Sequence, residues 1–508
     1  MITKNSSFSK KKPVLREEPL PEDKISKKEL LAYGGGALTD GGAGALIACV
    51  MLKYMTDGLA IPAAIASTII MASKLWDAIS DPLMGNISDN TRSKWGRRKP
   101  YMIFGGILIF FALGLLFLPI NNIMEGLASK IVYIAFMYIW FCTCTTITQV
   151  PYSSMSSDIS ASFSERNKAN TVKLLVSSFS AGISYIVPLL LLESFLKGNI
   201  SDITFWLALF LVFGILFGVG LVITGVFVKE RITVPMDEPR RKFSLKEYLV
   251  PFKVKSFIWS LIMYTAAFMC VDMLGGLAVY YATDVWRGAT LGNMNFTSVF
   301  IVAPLMVTAV AGFPFVRKMM MKKTKQYAYR IGLPFYAAGA ILLAVMAPSW
   351  APAWVAILAT SVMGLGFSGA QTMPWIIFPD TIDVAELKLG YRPTGAFSGA
   401  MTFVRKAASA LGLGIIGWVL QGVGYKESTQ NVDVIQGDNV LLTIRLLLGI
   451  SVFVLIVIAF IFSIKYKVTD AKLKRIRYFN EKTRAGENDT LTPEELKEKE
   501  TLIKELAG

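Results

Sequence analysis

Apolar stretches of 20 residues or more recur along this chain, and they constrain its fold more than any other feature. About 20 apolar residues are enough for an α-helix to cross the hydrocarbon core of a bilayer. The sequence therefore predicts an all-α polytopic membrane protein with about 12 transmembrane helices. The predicted spans form two sets of six, at 31–55, 61–88, 101–120, 129–155, 170–195 and 204–228, and at 255–284, 297–318, 328–348, 352–379, 396–422 and 440–465.

The composition agrees with a membrane protein. Hydrophobic residues make up 54% of the 508 residues and charged residues only 17%, whereas about a quarter of a soluble protein is charged. The formal charge of +16 would suit a nucleic-acid partner if the basic residues formed one patch. They lie instead in short loops between apolar stretches, so we predict a lipid bilayer as surroundings and no nucleic-acid partner.

The basic loops also predict the orientation. Lys and Arg cluster between spans two and three, six and seven, and eight and nine, while the connectors between spans one and two, three and four, and five and six carry one lysine or none. Because basic loops stay in the cytoplasm, we predict a multi-pass protein of the cell membrane with both termini cytoplasmic. The predicted parts are a cytoplasmic extension (1–28), a six-helix half (29–228), a cytoplasmic connector (229–250), a second half (251–466) and a charged cytoplasmic tail (467–508).

The tail carries one local signal. Thr492 followed by Pro493 is typical of a helix start, because threonine caps a helix and proline suits its first position. The tail is too short for an enzyme domain, and a solvated tail is its simplest interpretation.

The absence of histidine excludes several chemistries at once. It removes imidazole metal sites, histidine proton relays and Ser-His catalysis. None of the four cysteines has metal-ligand spacing. We therefore expect a protein that is not an enzyme and needs no cofactor.

Asp77 and Asp81 are the most unusual residues of the predicted spans. A carboxylate at the centre of a bilayer costs about 2.5–3.5 kcal/mol even on the lenient insertion scale, so such residues are usually functional. Their i, i+4 spacing places both on one helix face, with Cβ atoms about 6 Å apart. With Ser80 nearby, this pattern predicts a site for a cation or a proton.

Other charged residues also interrupt predicted spans. Because intramembrane charges usually pair or face a water-filled cavity, we expect acids of the first half to meet Lys406 of the second half at a central cavity. For Arg405 and Lys173, snorkelling to the membrane surface is an alternative, and Asp272 could lie near the outer surface. These residues are Asp40, Lys74, Lys173, Asp272, Arg405 and Lys406.

Three segments, 74–85, 90–100 and 380–395, together resemble the glycoside–pentoside–hexuronide:cation symporter family of the major facilitator superfamily. Segment 85–98 is also similar, in stretched form, to the loop signature of that superfamily. The resemblance covers about residues 30–466. It implies two six-helix halves that alternate access to a midplane site.

The family pattern implies roles for single residues. Asp77 and Asp81 match the acidic pair that binds the coupling cation, and Thr146 matches a hydroxyl ligand. Ser80 stands where the family's melibiose carrier has asparagine, so sodium at the acidic pair and a proton are both candidate coupling ions.

The substrate site follows from the same resemblance. Asp40 matches an aspartate that binds sugar hydroxyls, and Lys173 matches a basic residue of the family. Gln149, Ser153 and Gln371 replace residues that contact galactosides, which predicts a substrate other than melibiose. The remaining matches are Thr402 and Lys406, at the sugar and charge-coupling site, and Asp272 is a candidate coupling acid.

Charged residues beside the second and tenth spans are predicted to form cytoplasmic latches, with ion pairs that close this side of the carrier. The first group comprises Asp89, Arg92, Arg97 and Arg98. The second comprises Asp380, Asp383, Glu386 and Arg392.

The sequence thus predicts a monomeric symporter that couples sodium or protons to uptake of a small carbohydrate, such as a sugar, glycoside or uronide. Three alternatives share these features. They are a carrier of the same fold for a lysolipid or a drug, an intramembrane enzyme built on the acidic pair, and a sensor that binds without transport.

Overall fold

The computed structural model describes residues 24–160, 162–231, 249–291, 294–392, 394–427, 434–487 and 491–508. Residues 1–23 of the predicted N-terminal extension and 232–248 of the predicted connector lie outside the described residues.

Twelve long helices make up the described part of the two predicted halves. The first half comprises α1 (Lys27–Gly58), α2 (Ala63–Asn90), α3 (Lys99–Leu116), α4 (Leu127–Asp158), α5 (Phe163–Leu196) and α6 (Asp202–Phe227). The second comprises α7 (Lys255–Val285), α8 (Val299–Lys322), α9 (Lys325–Val345), α10 (Trp354–Leu389), α11 (Thr394–Gly422) and α12 (Asp438–Lys465).

Eleven of these helices are long and apolar enough to cross a membrane, counted over the described residues. The twelfth, α2, has 28 residues but contains Lys74, Asp77, Asp81 and Asp89, which is why it falls outside that number. The prediction of an all-α polytopic membrane protein is confirmed.

Short elements complete the described structure. Single π-helical turns end α1 (Tyr54–Gly58) and α7 (Tyr281–Val285) and interrupt α6 (Ala208–Gly214). The others are 3-10 turns at Ile120–Asn122 and Val250–Lys253, a hairpin of β1 (Thr290–Leu291) and β2 (Met294–Asn295), the tail helices α13 (Asp470–Arg484) and α14 (Pro493–Leu502), and a last turn at Ile503–Ala507.

Glycines set how closely the helices of each half approach. A Cβ atom added at Gly35 would lie 2.6 Å from the carbonyl oxygen of Gly220, and one added at Gly332 would lie 2.9 Å from that of Gly366. The backbones of α1 and α6, and of α9 and α10, are therefore in direct contact. Small residues at helix interfaces are a usual feature of packing in lipid, where no hydrophobic effect drives the helices together.

The halves contact each other through α1 with α7, α2 with α11, and α5 with α8. We call the end of the bundle where α1 begins and α12 ends the terminal end, and the other the opposite end. Near the opposite end α11 packs closely on α2, where Gly417 contacts Ala63 and Ser67. Near the terminal end α2 and α11 are separated by a cavity, described below.

Candidate functional site

Lys406 of α11 lies between the two aspartates of α2. Its Nζ atom is 2.6 Å from Asp77 Oδ2 and 2.6 Å from Asp81 Oδ2. The three side chains are only 14–23% exposed, so the charges face each other in a partly dry environment. The expected meeting of acids from the first half with Lys406 from the second is present.

Two hydroxyl groups lie beside the carboxylates. Thr146 Oγ1 of α4 is 2.6 Å from Asp77 Oδ1, 3.0 Å from Asp81 Oδ1 and 3.2 Å from Ser80 Oγ. Its single proton can be donated to only one carboxylate at a time. We call Asp77, Ser80, Asp81 and Thr146 the acid cluster; the polar atoms of its side chains are all oxygen, the type that hard cations prefer.

Proline shapes the backbone of this cluster. Pro82 follows Asp81 inside α2, and its missing N–H removes the usual backbone donor for the carbonyl of Ala78. Transmembrane helices tolerate such a freed group where it lies against protein or a cavity. Ala78 and Pro82 both line a cavity. Because Ala78 lies between Asp77 and Asp81 in the sequence, its freed carbonyl is within one helical turn of both carboxylates.

Two cavities meet at the acid cluster. The central cavity, about 440 Å³, lies between the halves; its lining includes Asp40, Lys74, Asp77, Gln149, Asp272, Gln371, Arg405 and Lys406. The terminal-side cavity, about 550 Å³, is lined by residues that include Asp77, Asp81, Gly85, Asp89, Gln149, Ser153, Ser398, Thr402 and Lys406. Ligand pockets for small molecules usually fall at about 300–1,000 Å³.

The terminal-side cavity opens to solvent. Ser153 of α4 and both Ser398 and Thr402 of α11 are exposed although they line it. Asp77, Gln149 and Lys406 line both cavities. The structure thus gathers all the predicted substrate residues except Lys173 in the lining of one continuous region, and their roles as substrate ligands remain predictions.

Asp40 and Lys173 pair at the edge of the central cavity. Lys173 Nζ is 3.4 Å from Asp40 Oδ2 and 4.8 Å from the centroid of the Tyr152 ring. Gln149 Nε2 donates to the carbonyl of Thr39, at 3.3 Å. Lys173 therefore faces an acid inside the bundle. This agrees with the expectation that intramembrane charges pair or face a cavity, and not with the alternative that Lys173 snorkels to the membrane surface.

Arg405 and Asp272 also line the central cavity. Arg405 Nη2 is 4.0 Å from Asp272 Oδ1, and the guanidinium carbon lies 4.7 Å from the centroid of the Phe268 ring. The alternatives that placed Arg405 at the membrane surface and Asp272 near the outer surface are therefore not what the structure shows.

The predicted latch residues of the first half pair among themselves and with Asp158. Arg97 donates two hydrogen bonds to the Asp158 carboxylate, at 2.9 and 2.6 Å, and Arg98 pairs with Asp89 and Asp158. Arg92 donates instead to the carbonyl of Asp89, at 3.0 Å. Burial lowers the pKa of Arg97, but the bonds to Asp158 outweigh it and raise that pKa above its ordinary value.

In the second half, the charged tail supplies cations to the end of α10. Arg477 Nε is 3.0 Å from Asp383 Oδ2, and Arg484 donates to Glu386 at 2.5 and 2.6 Å. The hydrogen bond to Glu386 raises the pKa of Arg484 above its ordinary value. The interpretation of 467–508 as a solvated tail is therefore wrong, since Phe479 of α13 is also fully buried. The start of α14 is as predicted, with a capping box at Thr492.

The remaining predicted latch residues also pair within the second half. Asp380 contacts Lys325 at 2.6 Å, and Arg392 contacts Asp383 at 3.0 Å. Each of these terminal-end pairs thus lies within one half or joins it to the tail. A latch between the halves stays a prediction for the conformation in which this end is closed.

A buried charge network closes the opposite end. Lys53 Nζ, on a side chain 2% exposed, is 2.7 Å from Asp57 Oδ2 and 2.9 Å from Asp284 Oδ2. It also donates to Tyr425 Oη at 2.9 Å, and that hydroxyl donates to Asp57. We call Lys53, Asp57, Asp284 and Tyr425 the opposite-end gate; it joins α1 to α7 and to the segment that follows α11.

Further contacts join the halves at this end. Glu193 of α5 accepts hydrogen bonds from the backbone N–H and the hydroxyl of Ser298, at 2.9 and 2.5 Å. Glu427 and Gln421 accept from the first backbone N–H groups of α2, at 3.1 and 2.8 Å. The opposite end is therefore closed by charged and polar contacts, while the terminal end is open.

The opposite-end gate is not among the predicted site residues, although the sequence contains a signal for it. Lys53 and Asp57 share the i, i+4 spacing at the end of the first apolar stretch. Asp284 ends the seventh stretch in the same way. Two aspartates at corresponding positions of the two halves, with a lysine beside only one of them, could have suggested a contact between the halves.

The MFS/sugar transport protein family matches residues 32–470. The chain belongs to this family. The prediction of a glycoside–pentoside–hexuronide:cation symporter family member is confirmed, and the protein is a multi-pass membrane transport protein.

Two similar proteins have names that describe different substrates. The chain is 23% identical to the glucuronide carrier protein homolog of Escherichia coli (strain K12), over 89% of this chain and 95% of the relative. It is 24% identical to the sodium-dependent lysophosphatidylcholine symporter 1 of Xenopus tropicalis, over 86% and 87% of the two chains.

Solved structures agree on the fold. The crystal structure of the nucleoside transporter NupG is similar with a TM-score of 0.59 and 13% identity, over 87% of this chain and all of that one. At this identity the likeness concerns the fold alone.

Proposed function

We propose that this protein is a symporter that couples entry of a cation, sodium or a proton, to uptake of a sugar, glycoside or uronide. Both termini then lie in the cytoplasm, as the basic loops indicate. The single observation that carries the proposal is the position of Lys406, bound to Asp77 and Asp81 where the two cavities meet.

Lys406 supports coupling because it occupies the acid cluster as an internal cation. Two carboxylates buried without a counter-charge are costly, and removing one partner of such a group leaves an uncompensated charge. The ammonium of Lys406 meets this need in the empty carrier. A coupling cation that binds Asp77 and Asp81 replaces the ammonium, which then becomes a donor facing the cavities.

The released Lys406 links the cation to the substrate. Its ammonium carries three N–H donors, and Thr402 lies one turn earlier on α11. Asp40 and Gln149 face the same region from α1 and α4. Cation binding thus frees a hydrogen-bond donor for substrate oxygen atoms, and substrate binding holds that donor away from the acid cluster.

The conformation fits one stage of alternating access. The opposite end is closed by Lys53, Asp57 and Asp284, while the terminal-side cavity is open to solvent. With cytoplasmic termini, this is an inward-facing carrier. Rocking of one half against the other would then break the opposite-end gate and close the terminal end.

Counterflow in proteoliposomes tests this proposal. Vesicles are loaded with an unlabelled candidate glycoside, and entry of the labelled compound is followed; separate vesicles without internal substrate receive an imposed sodium or pH gradient. The proposal expects counterflow in the loaded vesicles and, in the unloaded vesicles, accumulation that needs a cation gradient. A rate that does not respond to either gradient would contradict the cation coupling, although not the transport.

A lysolipid carrier is the second candidate, favoured by the Xenopus tropicalis relative and by Phe403, which is 41% exposed at the terminal-side cavity. The central cavity disfavours it, because Asp40, Lys74 and Arg405 line the space that an acyl chain would occupy. Uptake of labelled lysophosphatidylcholine beside labelled sugars separates the two candidates.

A further inference from the structure

We propose that the central cavity binds an acidic group of its substrate through Arg405, so that the substrate is a sugar acid or uronide and not a neutral sugar. This inference rests on the proposed function and narrows its substrate class. It concerns a residue that the family resemblance leaves without a role.

Arg405 has unused donors. Its nearest acid, Asp272, is 4.0 Å away, which is too long for a hydrogen bond. Both Arg405 Nε and Asp272 Oδ2 are buried and have no hydrogen-bond partner among the described residues. Buried polar atoms without partners cost about 1–3 kcal/mol each, so the empty site is incomplete rather than satisfied.

A carboxylate would complete this site. The guanidinium group presents five N–H donors in a planar fork that matches a carboxylate with two parallel hydrogen bonds. Phe268 packs against the guanidinium face, with 4.7 Å between the guanidinium carbon and the ring centroid. This contact holds the plane and leaves its edge for a ligand, and the Arg405 side chain is still 31% exposed.

Lys74 adds a second positive charge to the same cavity. It lines the cavity together with Arg405, and no ion pair joins it to another residue of the described ranges. Lys406 is bound to the acid cluster and Lys173 to Asp40. Lys74 and Arg405 are therefore the cations available to an anionic ligand in the empty carrier, before the coupling cation releases Lys406.

The balance of charges in the cavity also favours an acidic substrate. In the empty carrier, the acids of the cavity and the acid cluster are matched by an equal number of bases: Asp40, Asp77, Asp81 and Asp272 against Lys74, Lys173, Arg405 and Lys406. One monovalent cation adds a charge that is costly to bury in lipid. A substrate carboxylate restores the balance, whereas a neutral sugar does not.

The test compares acidic sugars with their neutral counterparts on the full-length protein. The probes are D-glucuronate and methyl β-D-glucuronide, against D-glucose, methyl β-D-glucoside and the methyl ester of the glucuronide. Binding is measured by competition in nanodiscs and transport by counterflow. We expect each acid to bind at least about tenfold more tightly than its neutral partner, a difference of about 1.4 kcal/mol.

Variants then assign the preference to Arg405. R405Q should remove the preference for the acid over the neutral probe, and R405K should keep part of that preference. D272N should retain the preference, because it leaves the guanidinium in place; equal losses in R405Q and D272N would mean a structural ion pair and would overturn the inference. R475Q, on an arginine of the tail, is the matched control, and monodisperse elution monitors folding.

The two proposals fail in different ways. If neutral sugars are carried with cation coupling and the acids are not preferred, the inference about Arg405 is wrong and the proposed function stands. If neither series is bound or carried, both are contradicted. An acid preference that persists in R405Q overturns the inference alone.

Discussion

Lys406 and Asp81 are 325 residues apart in the chain, yet the ammonium of one lies 2.6 Å from a carboxylate oxygen of the other. This contact joins α11 to α2, and therefore the second half to the first, at the point where the central and terminal-side cavities meet. A charge that the chain itself supplies thus occupies the acid cluster. Displacement of that charge is the step on which the proposed coupling depends.

Replacing Lys406 tests this displacement. In K406Q the coupling cation no longer competes with an ammonium, so cation affinity without substrate should rise by at least about tenfold. Accumulation should be lost, because the empty carrier must then bury two carboxylates without a counter-charge. Cation binding can be followed by tryptophan fluorescence, since Trp76 lies next to Asp77, and transport by uptake against a gradient.

The control for this variant is K474Q, which removes an exposed lysine of α13. It should leave both cation affinity and accumulation unchanged. Normal accumulation by K406Q would show that the ammonium is not needed for return of the empty carrier.

Replacing Lys53 should open the opposite end. K53M leaves Asp57 and Asp284 buried without their cation, and breaking a buried ion pair in this way costs about 3–5 kcal/mol. The equilibrium should therefore shift away from the conformation described here by about a hundredfold or more. The measurement is the distance between spin labels at Ile123 and Trp350, two exposed opposite-end positions in different halves.

K130M is the matched control for the gate. Lys130 lies at the same end but donates to Asn121 within the first half, at 2.7 Å. Its loss should leave the label distances unchanged. Identical distance distributions in K53M and the unmodified protein would exclude the gate as a determinant of the conformation.

Removing the tail contacts should loosen the end of α10. Arg477 and Arg484 are more than half exposed. Arg392 also lies 3.0 Å from Asp383 and 3.5 Å from Glu386, so both buried carboxylates keep a cation when the two tail arginines are replaced. The double variant R477Q/R484Q should therefore lower the melting temperature only slightly, while hydrogen exchange at residues 383–389 should rise several-fold. R475Q, which breaks a pair with Glu498 inside the tail, should leave exchange in α10 unchanged. Equal exchange in all three proteins would mean that packing of Phe479 alone holds the tail.

Local patterns were sufficient to predict the helices and the acid cluster. Apolar length predicted the spans, and the i, i+4 spacing placed Asp77 and Asp81 on one face of α2. The family resemblance added Thr146, which lies where it was expected. Each of these features depends on residues close in sequence or on a pattern that a family carries.

Contacts between distant segments were harder to predict. The opposite-end gate joins Lys53 to Asp284, and the tail joins Arg484 to Glu386. Nothing in the local sequence specifies the partner of a charged residue, because any acid at the same membrane depth would serve. The sequence likewise allowed Arg405 to lie at the membrane surface or in the central cavity. The contact of its guanidinium group with Phe268 places it in the cavity.

Uptake by proteoliposomes that contain D77N tests the central claim most directly. Labelled substrate is offered under an imposed sodium or proton gradient, with D438N, an exposed aspartate at the start of α12, as the control and the melting temperature as a measure of folding. The account predicts that D77N does not accumulate substrate above its external concentration, while D438N accumulates it normally. Normal gradient-driven accumulation by D77N would contradict the assignment of the acid cluster as the coupling site.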